Sequence, residues 1–267
     1  MSSPALRPSG TFLAVLSAFA SGRLFGVVYG AGAPSVLALH GWGRSGADFD
    51  ATLQDLDAVA LDLPGFGATP APPEPWGAAE YAQAVAAVLD ELATPIVVVG
   101  HSFGGRVAVH LAAAEPERIA ALVLTGVPLV RAPGAAATPR RPALGYRVAR
   151  ALHRRGLLPE DRMEALRRRH GSPDYRAATG VMRDVLVRAV NETYEEQLAA
   201  ITCPVELVWG DDDPEVPLAV AEAAAARVAG GAGAASLTVV PGAGHFTPRT
   251  APAELRAAVT RCRARRT

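Results

Sequence analysis

The chain has 267 residues, half of them apolar, and its 26 basic side chains, all arginine, balance 26 acidic ones. A formal net charge of zero gives no electrostatic footprint for a nucleic acid or another polyanion, and no apolar stretch reaches the roughly 18 residues needed to cross a bilayer. The length suits one large domain, or a core carrying one insertion. Cys203 and Cys262 are too few for a disulfide framework and have no metal-ligand neighbours at useful spacing, so both are expected to be packing residues in a reducing, cytoplasmic setting.

Residues 11–20, with Arg7 before them, imitate a short secretory signal. The competing reading is a strand from Phe12 to Ala20 that turns at Ser21-Gly22 into a second strand, Arg23 to Tyr29. The hairpin is preferred, because removing those residues would strip an edge strand from the sheet inferred from the rest of the chain.

Ser35 to His40 and Ala58 to Asp62 read as short buried strands, bounded by Gly41-Trp42-Gly43 and Pro64-Gly65-Phe66-Gly67. The apolar spacing from Ala78 to Leu92 predicts a helix. Ile96 to Gly100 is an apolar strand that runs into Gly100-His101-Ser102-Phe103-Gly104, with helical spacing from Arg106 onward. Further strands are expected at Ile119 to Thr125, Val205 to Trp209 and Leu237 to Val240, and helices at Leu218 to Val228 and Ala253 to Arg263. Buried strands alternating with helices predict an α/β fold, with a mostly parallel sheet covered on both faces. Ligands in such sheets bind beyond the carboxyl ends of the strands.

Residues 127–200 interrupt that rhythm. They open with the linker Arg131-Ala132-Pro133-Gly134-Ala135-Ala136-Ala137-Thr138-Pro139 and continue as helical segments at Tyr146 to Arg155, Pro159 to Arg169 and Tyr175 to Val190. The expected organisation is a core of residues 1–126 and 201–267 with 127–200 inserted as a helical lid. The lid holds 14 of the 26 arginines against 8 acidic residues. A solvated lid surface accounts for that; reception of an anionic substrate or an acidic carrier is the functional alternative.

The residues with chemistry sit at the strand ends. Ser102 occupies the apex of G-x-S-x-G, a tight strand-to-helix turn that pushes a hydroxyl clear of the backbone at a helix N-terminus. A serine hydroxyl needs a base, a group to orient that base, and donors for the oxyanion. His245, at the tip of the glycine-rich loop Pro241-Gly242-Ala243-Gly244-His245, is the base candidate. Asp211, Asp212 and Asp213 all follow the Val205 to Trp209 strand and are open as the orienting acid. The amides of Phe103 and Trp42 are the expected oxyanion donors. His40 is expected to shape the loop beneath that site, His101 to point away from Ser102, and Asp62 to anchor a turn. There is no H-E-x-x-H, no phosphate loop and no strand-linked G-x-G-x-x-G, so neither a metal nor a cofactor is expected.

Together, His40-Gly41-Trp42-Gly43, Asp62-Leu63-Pro64-Gly65-Phe66-Gly67, Gly100-His101-Ser102-Phe103-Gly104-Gly105, Trp209-Gly210-Asp211-Asp212-Asp213 and Pro241-Gly242-Ala243-Gly244-His245-Phe246 resemble the α/β-hydrolase superfamily. The resemblance implies that Asp213, three places after the glycine closing its strand, is the acid, and that the lid is a helical cap. A serine at the elbow differs from the aspartate of haloalkane dehalogenases and epoxide hydrolases. The His40-Gly41-Trp42-Gly43 opening and the basic lid are similar in part to carboxylesterases that demethylate a pimeloyl thioester on an acyl carrier. The implied activity is a cytoplasmic serine hydrolase acting on an ester or thioester of a small to medium acyl group. The same triad also serves lyases, C–C hydrolases, perhydrolases and acyltransferases, and a non-catalytic binding protein on this fold is the remaining alternative.

Overall fold

The computed structural model describes residues 14–131, 144–170, 172–231 and 233–265. Phe12 and Leu13 of the expected first strand, and most of the Arg131 to Pro139 linker, lie outside the described residues.

Eight strands form one sheet: β1 (Val15–Phe19), β2 (Leu24–Tyr29), β3 (Val36–Leu39), β4 (Ala58–Asp62), β5 (Ile96–His101), β6 (Ile119–Thr125), β7 (Val205–Gly210) and β8 (Ala235–Val240). Their spatial order is β1-β2-β4-β3-β5-β6-β7-β8. The β1–β2 hairpin is antiparallel, as is the β2–β4 pair, and every other neighbouring pair is parallel. β3 and β5, at the centre, are apolar on both faces. Leu37, Leu39, Ile96 and Val98 belong to one hydrophobic cluster, whereas the alternate residues Val36, Ala38, Val97 and Val99 belong to another.

Helices close both faces. α2 (Ala78–Leu89), α3 (Phe103–Ala114), α8 (Glu195–Ala200) and α9 (Leu218–Ala229) bury Tyr81, Val85, Val107, Leu111, Leu198 and Val220 in the first cluster. On the other face, α1 (Asp50–Leu53) and α11 (Pro252–Ala264) contribute Leu53, Leu255 and Val259 to the second. Burial on this scale, at about 25 cal/mol per Å² of apolar surface, is the main stabilising term of the core. A short α10 (Thr247–Thr250), absent from the sequence reading, lies between β8 and α11.

Between β6 and β7 lie α4 (Leu144–Arg154), α5 (Glu160–His170), α6 (Pro173–Ala177), α7 (Gly180–Ala189) and α8. The single helix read from Tyr175 to Val190 is divided in two. Ala178 and Thr179 are extended, with ψ of 134° and 161°, and buried Ala178 holds the break. None of the described helices is long and apolar enough to cross a membrane.

Candidate active site

The carboxyl ends of the strands converge on Ser102. Its backbone has φ 48° and ψ −113°, outside the regions that L-residues prefer, a conformation that costs on the order of 1–3 kcal/mol. The turn is held because Ser102 N–H donates to the Thr125 carbonyl (3.0 Å), and Gly104 N–H donates to the His40 carbonyl (3.0 Å). The flanking glycines answer close approaches. A Cβ on Gly100 would stand 2.5 Å from the Gly105 α-carbon, and one on Gly104 would collide with the Leu39 carbonyl oxygen.

His245 is carried by the loop after β8. Its Nε2 lies 3.1 Å from Ser102 Oγ, and its Nδ1 lies 2.9 Å from Asp213 Oδ2. The loop is fixed from beneath by His101, whose Nε2 donates to the His245 carbonyl at 2.9 Å. That bond places the proton of the neutral His101 ring on Nε2. Burial, reinforced by the charge of His245, pulls the His101 pKa down to about 4.

The three aspartates after β7 have separate environments. Asp211 accepts from Gly242 N–H at 2.7 Å and so ties its loop to that of His245. The Asp212 amide donates to the Ala243 carbonyl, and its side chain is exposed. Asp213 alone is buried; besides His245 it accepts from the Glu215 and Val216 amides, both at 2.9 Å. Burial by itself would raise the Asp213 pKa. The hydrogen bonds from His245 and the two amides outweigh it and hold the carboxyl below its usual value, hence ionised.

Trp42 follows β3, with its ring edge-on to Phe66 and Phe103 at centroid separations of 5.0 and 5.4 Å. The Phe103 amide opens α3, and neither it nor the Trp42 amide has a hydrogen-bond partner among the described residues. His40 lies beneath this loop: Nδ1–H donates to the Gly41 carbonyl (2.7 Å) and Nε2 accepts from Leu63 N–H (2.9 Å). Asp62 spans a turn, accepting from Gly46 and Ala68 amides, both at 2.8 Å.

A cavity of about 250 Å³ opens beside Ser102. Trp42, Phe103 and His245 line it from the core, with Pro128, Leu186 and Val190 from the segment between β6 and β7. Two further lining residues escaped the sequence reading. Glu215 places Oε2 3.4 Å from His245 Nε2, and Arg106 stands one helical turn beyond Ser102. Closeness in sequence to Asp213 and to Ser102 was the one signal available for the two. No group of three His, Cys, Asp or Glu side chains among the described residues is placed to hold a metal ion.

The arrangement is an ionised carboxylate, an imidazole and a hydroxyl in line, in a cavity that Trp42 and Phe103 also line. Comparison with known proteins gives it a lineage. The alpha/beta hydrolase family profile matches residues 36–258. The chain is 46% identical over 101 residues to lipase LipV of Mycobacterium tuberculosis, covering 36% of this chain and 38% of that protein. It is 40% identical over 94 residues to a pimeloyl-[acyl-carrier protein] methyl ester esterase of Neisseria meningitidis, covering 34% and 35% respectively. The matches thus span little more than a third of the length of these curated relatives. In three dimensions the chain resembles a thioesterase domain from the curacin biosynthetic pathway. The TM-score is 0.66 at 22% identity, over 94% of this chain and 100% of that one, a likeness of fold.

Proposed function

Because the chain belongs to the alpha/beta hydrolase family, we propose that it is a serine hydrolase cleaving a carboxylic ester or thioester of a small to medium acyl group. The observation that carries this reading is the unbroken relay from Asp213 through His245 to Ser102, with contacts of 2.9 and 3.1 Å. Similarity to a lipase and to a methyl ester esterase supports ester chemistry.

In this reading Ser102 Oγ attacks the carbonyl carbon while its proton passes to His245 Nε2. Asp213 keeps the imidazole in the tautomer with Nδ1–H inward and stabilises the imidazolium that forms. The carbonyl oxygen, now an anion, accepts hydrogen bonds from the free amides of Trp42 and Phe103 at the positive end of α3. His245 then gives its proton to the departing alkoxide or thiolate, leaving an acyl ester on Ser102. A water molecule, deprotonated by His245, attacks that ester; its collapse frees the acid and returns the proton to Ser102.

Residues 127–200 act as a cap: Pro128, Asp174, Leu186, Ala189 and Val190 from this segment share the cavity with Ser102. The 14 arginines there, and the carrier-bound substrate named for the Neisseria relative, support an acyl group that is anionic or held on an acidic carrier. A cytoplasmic site of action fits the two free, buried cysteines. Turnover of a panel of p-nitrophenyl esters tests the reading. Wild-type protein is expected to release acid and phenol with a chain-length optimum, and Ser102→Ala to lose at least about three orders of magnitude. Products formed only with added alcohol or thiol acceptors would instead identify an acyltransferase.

A further inference from the structure

We infer that Arg106 is the anion receptor of the substrate cavity, and that the acyl portion of the substrate carries a carboxylate. The inference deepens the hydrolase reading above and rests on it. Among the described residues, Arg106 is the one arginine lining the cavity that holds Ser102, Trp42, Phe103 and His245. It is the fourth residue of α3, in the first turn after the elbow that carries Ser102.

Its guanidinium is held in place but lacks a counter-charge. One terminal nitrogen, Nη1, donates to the Ala189 carbonyl at the end of α7, and the carbon of the group stands 5.7 Å from the Tyr194 ring centroid. Nε is buried with no hydrogen-bond partner. Among the described residues no carboxylate lies within ion-pair distance of Arg106, whereas Arg44, Arg183 and Arg261 are matched by Asp48, Glu164 and Glu206. Buried guanidinium nitrogens are ordinarily satisfied, so an unpaired one on a side chain that lines a cavity marks a group short of an acceptor.

The chemistry of the group selects the class of ligand. A guanidinium fixed through Nη1 and flanked by an aromatic ring is a planar, pre-ordered fork of donors, the shape that a carboxylate meets with two parallel hydrogen bonds. Because the protein has already ordered this group, little conformational freedom is lost when the anion arrives. Two carboxylates also line the cavity, and neither neutralises Arg106. Glu215 is mostly exposed and faces His245 Nε2, and Asp174 is exposed on α6. Solvent screens such rim charges far more than a half-buried one.

The test compares monomethyl glutarate with its neutral isostere, methyl 4-carbamoylbutanoate, by pH-stat in wild-type, Arg106→Lys and Arg106→Met proteins. The quantity read is the ratio of the two kcat/KM values, which is independent of the fraction of folded enzyme and therefore survives any loss of the α3–α7 contact. Wild type is expected to favour the anion by about tenfold or more, as charge-assisted hydrogen bonds warrant. Arg106→Met is expected to abolish the preference, and Arg106→Lys to keep part of it. A wild-type ratio at or below one, or a ratio unchanged in Arg106→Met, overturns the inference. Should neither ester turn over, the hydrolase reading fails, and calorimetric titration of glutarate decides the anion site alone. Binding to wild type that is lost in Arg106→Met supports the site, and absence of binding to wild type overturns it.

Discussion

Gly126, just beyond β6, packs its bare α-carbon against His245. A Cβ built there would stand 3.1 Å from both Cε1 and Nδ1 of the imidazole, and the backbone φ is 60°. The two facts compound, because an alanine would be strained by about 1–2 kcal/mol in this region and would also press on the ring. Gly126→Ala is therefore expected to tilt the imidazole and lower kcat by at least about tenfold, since small misplacements of a reacting group cost rates of that order. Kinetics with a short neutral ester, beside circular dichroism of the folded variant, check it. Unaltered kcat would show that the imidazole tolerates the added methyl.

The aspartate triplet offers a second test. Asp213→Asn leaves the shape of the site intact but presents an amide to Nδ1, which favours the wrong tautomer. The loss of kcat is expected to reach about three to four orders of magnitude. Asp211→Asn weakens only the hydrogen bond from Gly242, and is expected to cost about tenfold or less. Comparable losses in the two variants would contradict the assignment of Asp213.

Acid stability follows from His101. Its folded-state pKa is lowered from 6.5 to about 4, so the native protein keeps the ring neutral while the unfolded chain takes up a proton below pH 6.5. The associated stability is fully present above pH 6.5 and is lost as the pH falls to about 4, a change of up to ~3 kcal/mol. Buried His40 is shifted in the same direction and adds to that slope. Asp213 is lowered as well, but its contribution is present above the usual carboxylate value and is lost only as the pH falls through its depressed one. Urea unfolding of wild type at pH 7 and pH 4.5 is expected to show the fall, and His101→Gln to flatten it. Equal slopes in both proteins would contradict the assignment.

Asp62 separates architecture from chemistry. It is buried and accepts from two amides, so Asp62→Asn turns one acceptor into a donor that faces an N–H. A loss of about 2 kcal/mol in unfolding free energy is expected, with kcat changed by less than about threefold. A kcat loss beyond tenfold in the folded variant would place Asp62 in the chemistry instead.

Much of this site could be read in the sequence because its parts are covalently local. Ser102, His245 and the aspartate triplet each follow a strand rich in apolar and β-branched residues, and a strand end fixes where the next few residues emerge. Spacing left the three aspartates unresolved, since burial and the Glu215 and Val216 amides, both products of tertiary folding, single out Asp213. β8 begins at Ala235 rather than Leu237 because Ala235 and Ser236 pair in register with Val205 and Glu206, although neither favours strands on its own. The break at Ala178-Thr179 was hidden because apolar spacing persists on both sides of two extended residues, with Gly180 next at φ 52°. Glu215 and Arg106 had only their closeness to Asp213 and Ser102 to mark them; the opposite wall of the cavity comes from the segment between β6 and β7, which no local pattern places.

The proposed function rests on Ser102 being a nucleophile activated by His245. Intact-mass analysis after incubation with a fluorophosphonate, followed by peptide mapping, tests it most directly. A single adduct is expected on Ser102, none in Ser102→Ala, and labelling slowed by at least about a hundredfold in His245→Ala. Folded wild-type protein that resists labelling, or that is labelled equally fast without His245, would contradict it.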